Sequence, residues 1–212
     1  PPAKRVPECM TSLERFLNDQ PGRTSPLMKA ALAHVQFETI HPFLDGNGRI
    51  GRLLITLLLE HWGLLESPLL YLSLYFKRHR DEYYRLLDVV RRDGDWEAWL
   101  DFFLEGVTET AGGAVETAHR LLSLFQSDEK RLAVEERGAA SLLRAYGALK
   151  TRPVATIQDV ARRSGVTFPT ASKAVEMLAS LGIARELTGA KRNRVFAYDR
   201  YLAILNEDTE PI

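Results

Sequence analysis

Residues 41–52 read HPFLDGNGRIGR, and the periodicity on either side of this stretch decides the fold. Between alternating apolar residues, Asp-Gly-Asn-Gly would be a hairpin turn. Here both flanks are helical instead. Upstream, Leu27, Ala30, Ala31, His34, Val35 and Ile40 share one helix face, and Ser25-Pro26 supplies an N-cap and a first helical residue. Downstream, Ile50, Leu53, Leu54, Leu57 and Leu58 follow the i, i+3, i+4, i+7, i+8 pattern of a buried helix that stops near Trp62-Gly63. Pro42 disfavours helical geometry at the residue before it, so the first helix ends there and His41 lies on a loop.

That loop gathers one histidine, one carboxylate, three glycines, one asparagine and two arginines within twelve residues. Gly46, Asn47 and Gly48 directly precede a helix, so unpaired N–H groups and the helix dipole converge there and favour an anion such as phosphate. Arg49 and Arg52, neighbours on the first turn, present guanidinium forks to the same anion. Two arginines are more than one phosphate needs and suit a polyphosphate. Asp45 would repel bound phosphates unless a cation bridged them, which reads as a Mg2+ ligand. His41 is the evident general base near neutral pH. Base, metal ligand and anion cradle together suit phosphoryl or nucleotidyl transfer.

Further along, helical stretches are predicted at roughly 68–92 and 95–126, with Gly94 as the break, and no alternating strand precedes residue 180. The charge-rich run QSDEKRLAVEERG at 126–138 suggests a linker or helix end, giving a core at 1–132, a linker at 133–138 and a second domain at 139–212. That second domain reads helix (IQDVARRSG), turn (VTFP), helix (TASKAVEMLASLGI), then two strand-like segments, ARELT and RVFAYD. This is a helix-turn-helix with a wing, turned at Gly165. Ala171, Ala174, Val175, Leu178 and Leu181 form the inner face of its second helix. Thr170, Ser172 and Lys173 on that helix, with Lys191, Arg192 and Arg194 on the wing, would face DNA. A protein-contact or dimerisation role is the alternative.

The composition bounds the partners. The 212 residues are 45% hydrophobic and 26% charged, a globular balance, and 28 basic against 28 acidic residues leave no global field toward nucleic acid or membrane. Cys9 is the one cysteine, and no Cys/His cluster has zinc spacing, which points to a reducing compartment, the cytoplasm. The longest apolar run, near 53–59, falls far short of the roughly 20 residues a membrane span needs.

Residues 41–52 resemble the signature of the Fic family, HPFx[DE]GNGRxxR, at every distinctive position, and the surrounding helices resemble that family over most of 1–125. The resemblance implies an all-helical core, followed here by a small α+β winged helix-turn-helix of the kind found after the core in many bacterial members. It also implies transfer of AMP from ATP to a Tyr, Thr or Ser hydroxyl of a target protein, with release of pyrophosphate. By that analogy His41 deprotonates the target, Asp45 holds Mg2+, and Asn47 with the Gly46 and Gly48 amides binds the α-phosphate region. Arg49 and Arg52 grip the outer phosphates, and Phe43 anchors the loop in the core. Tyr83-Tyr84 match a pair that the family often sets beside the adenosine, the alternative being one core and one surface tyrosine.

The family's inhibitory pattern, [ST]xxxE[GN], is not found; Thr56–His61 (TLLLEH) comes nearest and lies in the motif helix itself. The target-docking hairpin should lie upstream, with Pro1-Pro2 as its tail, so an N-terminally incomplete core is expected. The implied activity is that of a protein adenylyltransferase, with the chain itself among its candidate targets and a homodimer among its candidate assemblies. Two other readings stand beside it: a DNA-binding regulator with a nucleotide-sensing Fic-like domain, and an enzyme that uses another phosphate donor or removes AMP.

Overall fold

The computed structural model describes residues 1–18, 24–66, 70–135, 138–190 and 192–207. After a short 3-10 turn at Ala3–Arg5, helix α1 runs Val6–Asn18. Ser25 caps helix α2, Pro26–Ile40, its hydroxyl accepting the Met28 N–H at 3.3 Å, and Pro26 occupies the first turn, where its missing N–H costs nothing. Helix α3 spans Asn47–His61 and stops at Trp62 and the left-handed Gly63. The helix expected from about residue 68 is two: α4, Leu72–Arg78, and α5, Arg80–Asp93, broken at His79. Residues 67–69 of that expectation lie outside the described residues. Gly94, at φ 71°, ends α5 as the sequence suggests.

Helix α6 then runs unbroken from Trp96 to Ala133, so the charged stretch begins as the end of a long helix, one of the two readings the sequence allowed. Its start is helical because Leu124 and Leu132 of the same helix bury into a core together with Tyr146 and Leu149. Packing there overrides the charge pattern. By internal contacts the chain divides into two compact units, Pro1–Ala114 and Val115–Ile212. Residues 136 and 137 of the expected linker lie outside the described residues.

In the first unit α2 is the central element, with nine of its residues buried: Lys29, Ala30, Ala31, Ala33, His34, Val35, Phe37, Glu38 and Ile40. Around it pack Leu13 of α1, Ile55 and Leu59 of α3, Phe76 of α4, Leu86 and Leu87 of α5, and Trp99 and Phe103 of α6. Each such large apolar side chain contributes roughly 1.5–3 kcal/mol on burial. The small alanines of α2 let its neighbours approach closely. A polar group on α2 therefore has no solvent to turn to, and this places His34 and Glu38 inside the molecule.

The second unit is α+β. It contains α7 (Ala139–Thr151), β1 (Val154–Thr156), α8 (Ile157–Ser164), α9 (Phe168–Ser180), β2 (Arg185–Glu186), β3 (Val195–Ala197) and α10 (Asp199–Asn206). The strands form an antiparallel sheet in the order β1-β3-β2, with Ala155 opposite Phe196 and Arg185 opposite Ala197. Strand β1 precedes residue 180, where none was expected: three residues carry too short an alternation to read, and pairing with β3 makes it a strand. Thr156 and Asp159 form a capping box at the start of α8, and Gly165 turns the chain at φ 65°. Helix α9 begins earlier than its apolar spacing suggests because Pro169 fits its first turn.

Candidate active site

His41 is the residue after α2 and is held in the left-handed region, at φ 52° and ψ 59°, with its N–H donated to the Phe37 carbonyl at 2.9 Å. Pro42 ends the helix as expected, but His41 takes a left-handed rather than an extended conformation. For a residue with a Cβ this costs about 1–2 kcal/mol. It reverses the chain sharply and leaves the imidazole exposed.

The loop that follows is closed by Asn47. Its Oδ1 accepts the Phe43 N–H at 2.9 Å and its Nδ2 donates to the Phe43 carbonyl at 2.7 Å, while the residue is only 2% exposed. Gly46, at φ 82°, is the N-cap of α3 and brings no side chain to it. The Ile50 N–H finds the Gly46 carbonyl at 3.0 Å, and no acceptor among the described residues meets the N–H groups of Asn47, Gly48 and Arg49. Helices α4, α5, α7, α9 and α10 also begin without a side-chain cap, and what marks α3 is the pair of arginines beside its free N–H groups. Three donors and the positive end of the dipole point at one spot.

Both arginines fold back over that turn. A side chain at Gly46 would meet Arg49 Nη2 at 3.4 Å, and one at Gly48 would meet Arg52 Nη1 at 3.2 Å. Arg49 pairs with Asp45 at 3.2 Å, but their side chains are 75% and 92% exposed. Such a solvated pair is worth at most about 1 kcal/mol. An arriving phosphate can take the arginine and leave the carboxylate to a cation. A single exposed carboxylate, with no cluster of three or more His, Cys, Asp or Glu among the described residues, matches Mg2+ shared with substrate oxygens rather than a protein-only cage.

Beneath Arg52 lies a buried chain of polar contacts. The Arg52 charge acts on the buried Tyr83 hydroxyl beside it. That hydroxyl is 2.9 Å from His34 Nε2, and His34 Nδ1 is 2.9 Å from the Gly51 carbonyl. A carbonyl only accepts, so Nδ1 carries the proton, Nε2 accepts from Tyr83, and the remaining Tyr83 lone pairs face Arg52. Burial, aided by the charge of Arg52, pushes the His34 pKa down to about 4 against the raising effect of the Gly51 bond. The imidazole is therefore neutral. Glu38, on the same helix, buries Oε1 without a hydrogen-bond partner among the described residues. Burial raises its pKa, opposed by the charges of His41, Arg52 and Arg91.

Arg52 also lines a cleft of about 270 Å³ with Tyr71, Ser73, Phe76, Lys77, Arg80, Tyr83 and Tyr84. Residues 1–59 match the Fic/DOC family. Over that stretch the chain is similar to the Fic/DOC family. It is 34% identical over 151 residues to a protein named protein adenylyltransferase Fic from Aedes aegypti, covering 64% of this chain and 29% of that one. It is 36% identical over 102 residues to the protein of the same name from Drosophila melanogaster, covering 48% and 19%. Among solved structures, a Fic family protein from Desulfovibrio desulfuricans G20 superposes with a TM-score of 0.54 at 27% identity, covering 93% of this chain and 56% of that one. The chain thus spans less than a third of these two curated relatives.

The loop at 41–52 brings together what the sequence pointed to, with three differences. Asn47 cannot offer its side chain to a phosphate, because both polar atoms hold Phe43; what it can offer is its backbone N–H. Phe43 is 49% exposed, so its contact with Phe37, at 6.3 Å between ring centroids, is a partial anchor and not a core position. Tyr83 is 3% exposed and gives no face to a nucleoside, whereas Tyr84 is 55% exposed with the Arg80 guanidinium 5.7 Å over its ring. One tyrosine of the pair is core and one is surface.

His34 and Glu38 were missed as polar members of the site. The signal was present: α2 holds two charges, Lys29 and Glu38, in fifteen residues, too few for a helix with a solvated face. In the second unit, Arg194 pairs with Glu176 at 2.9 Å and Glu186 at 2.8 Å. Lys173 and Arg192 are exposed, Thr170 and Ser172 partly so, and Lys191 lies outside the described residues. No helix among the described residues is long and apolar enough to cross a membrane.

Proposed function

We propose that this chain is the nucleotidyl-transfer part of a protein adenylyltransferase, which moves AMP from ATP to a Tyr, Thr or Ser hydroxyl of a protein. The observation that carries this reading is the uncapped N-terminus of α3, whose three N–H groups lie beside two arginine forks and next to an exposed histidine. Its likeness to proteins named protein adenylyltransferase supports the same chemistry.

In this reading the amides of Asn47, Gly48 and Arg49 hold the α-phosphate, and Arg49 and Arg52 hold the outer phosphates. Asp45 would hold Mg2+, which when bound offsets the charge of the phosphates. The target oxygen attacks the α-phosphorus, its proton passes to the His41 imidazole, and the bond from that phosphorus to the bridging oxygen breaks. Pyrophosphate leaves with the electron pair. The loop holds these groups in place before the reaction, which is the main requirement for this chemistry.

Incubation with ATP labelled at either the α- or the γ-phosphate tests the reading, with the chain and a lysate as acceptors. Label from the α position should become covalently attached, and this should vanish in His41→Ala while ATP binding persists. Attachment of the γ label instead would refute nucleotidyl transfer in favour of another phosphoryl chemistry.

A further inference from the structure

Of the basic side chains of α4 and α5, three pair with acids, Arg91 donates to the Thr39 hydroxyl and the Glu38 carbonyl, and two others face a cleft. Arg78 pairs with Glu109 at 3.7 Å, Arg85 with Glu82 at 2.7 Å and Arg92 with Asp88 at 3.0 Å. Lys77 and Arg80, between or beside them in sequence, make no ion pair among the described residues, and these two line the Arg52 cleft. Among the described residues no Asp or Glu lines it with them. Glu82, adjacent in sequence to the buried Tyr83, turns instead to Arg85 with two hydrogen bonds of 2.7 and 2.8 Å.

Three unpaired cations around about 270 Å³ repel one another, a cost that an anion would cancel. The geometry behind Arg52 keeps its charge available. Its neighbour in the cleft, Tyr83, is a neutral hydroxyl fixed by the neutral His34 at 2.9 Å, and a neutral neighbour does not cancel the guanidinium's charge. Glu38 is the nearest buried acid and makes no ion pair with Arg52. The hydroxyls of Ser73 and Tyr71 add neutral donors to the same lining.

We infer that Lys77 and Arg80 are donor-binding residues that, with Arg52, seat the outer phosphates of the nucleotide and the pyrophosphate it becomes. This deepens the nucleotidyl-transfer reading and rests on it for the identity of the donor. The cleft's preference for a polyphosphate rests on its charges alone. Neither residue approaches the α3 amides in the sequence, so no motif spacing points to them.

The test uses the full chain and inorganic tripolyphosphate, measured by calorimetry at low salt, then ATP, AMP and adenosine. Wild type should bind tripolyphosphate, and Lys77→Gln/Arg80→Gln should weaken tripolyphosphate and ATP at least tenfold while AMP and adenosine change less than twofold. Arg85→Gln, in which an acid-paired neighbour is removed, should bind as wild type. Both substituted sites are exposed, so unchanged thermal unfolding checks that the variants are folded. A wild type that ignores tripolyphosphate, or a double variant that binds it undiminished, would overturn the inference. So would an equal loss for adenosine, which marks a nucleoside seat. Tripolyphosphate bound through Lys77 and Arg80 with no ATP binding would uphold the cleft and sink the nucleotidyl-transfer reading.

Discussion

The Tyr83 hydroxyl stands 2.9 Å from His34 Nε2, forty-nine residues earlier in the chain, and faces Arg52 with its other side. This contact joins α5 to α2, and His34 carries it on to the motif helix through the Gly51 carbonyl at 2.9 Å. Tyr83→Phe removes the bridge and leaves a buried Nε2 without a donor, so unfolding stability should fall by about 1–3 kcal/mol. Calorimetry should show ATP binding weakened several-fold and AMP binding held, because Arg52 alone loses its support. Equal losses for the two nucleotides would mean that Tyr83 shapes the whole loop and not Arg52.

The buried neutral His34 makes a prediction about acid. Its folded pKa, about 4, lies below the ordinary value of 6.5, so between those two pH values the unfolded chain takes up a proton that the folded chain refuses. Its contribution is therefore fully present above about pH 6.5 and is lost as pH falls toward 4, about 3 kcal/mol across the window. Denaturant unfolding at stepped pH should show this slope in wild type and a shallower one in His34→Gln. Identical slopes would remove His34 from the account.

Gly51 has its carbonyl on His34 and its Cα against Glu38. An added methyl would clash with Glu38 Oε1 and lie 3.2 Å from His34 Cε1. Gly51→Ala should cost about 1–3 kcal/mol. Adding Glu38→Ala opens the space, so the double variant should recover part of that loss in thermal unfolding, a coupling that independent sites would not show.

His41 holds a backbone conformation that glycine adopts without strain. His41→Gly should raise stability by up to about 1 kcal/mol while abolishing transfer, and His41→Ala should abolish transfer without that gain. Melting curves on the two variants separate the backbone's share from the imidazole's. Two equal melting temperatures would show that the left-handed turn carries no cost.

Gly112 and Gly113 lie inside α6 with nothing within 4 Å of an added Cβ. Alanine at each should stabilise the chain by roughly 0.5–1 kcal/mol, read as a rise in the unfolding midpoint. A fall would show an approach at these positions that the folded structure lacks.

The helix-loop-helix around residues 41–52, its caps and the bare end of α3 were legible because each follows from local rules: periodicity, proline, glycine and the orphan amides of a helix start. Other parts were set by partners distant in sequence. Strand β1 exists by pairing with β3, and α6 continues through a charged stretch because Leu124 and Leu132 are buried. The break between α4 and α5 at His79 has no proline or glycine to announce it.

By itself, then, the order of residues determined the helix-loop-helix at 41–52, the placement of its arginines and histidine, and the mainly helical class, since those depend on neighbours one to four positions apart. Only the tertiary structure decided that Asn47 clamps the loop instead of reaching a ligand, that Tyr83 is a buried support, and that Lys77 and Arg80 share a cleft with Arg52. The reason is physical: burying α2 on nearly every side forces its polar groups to find partners on other helices, and those partners are fixed by packing, which no local spacing encodes.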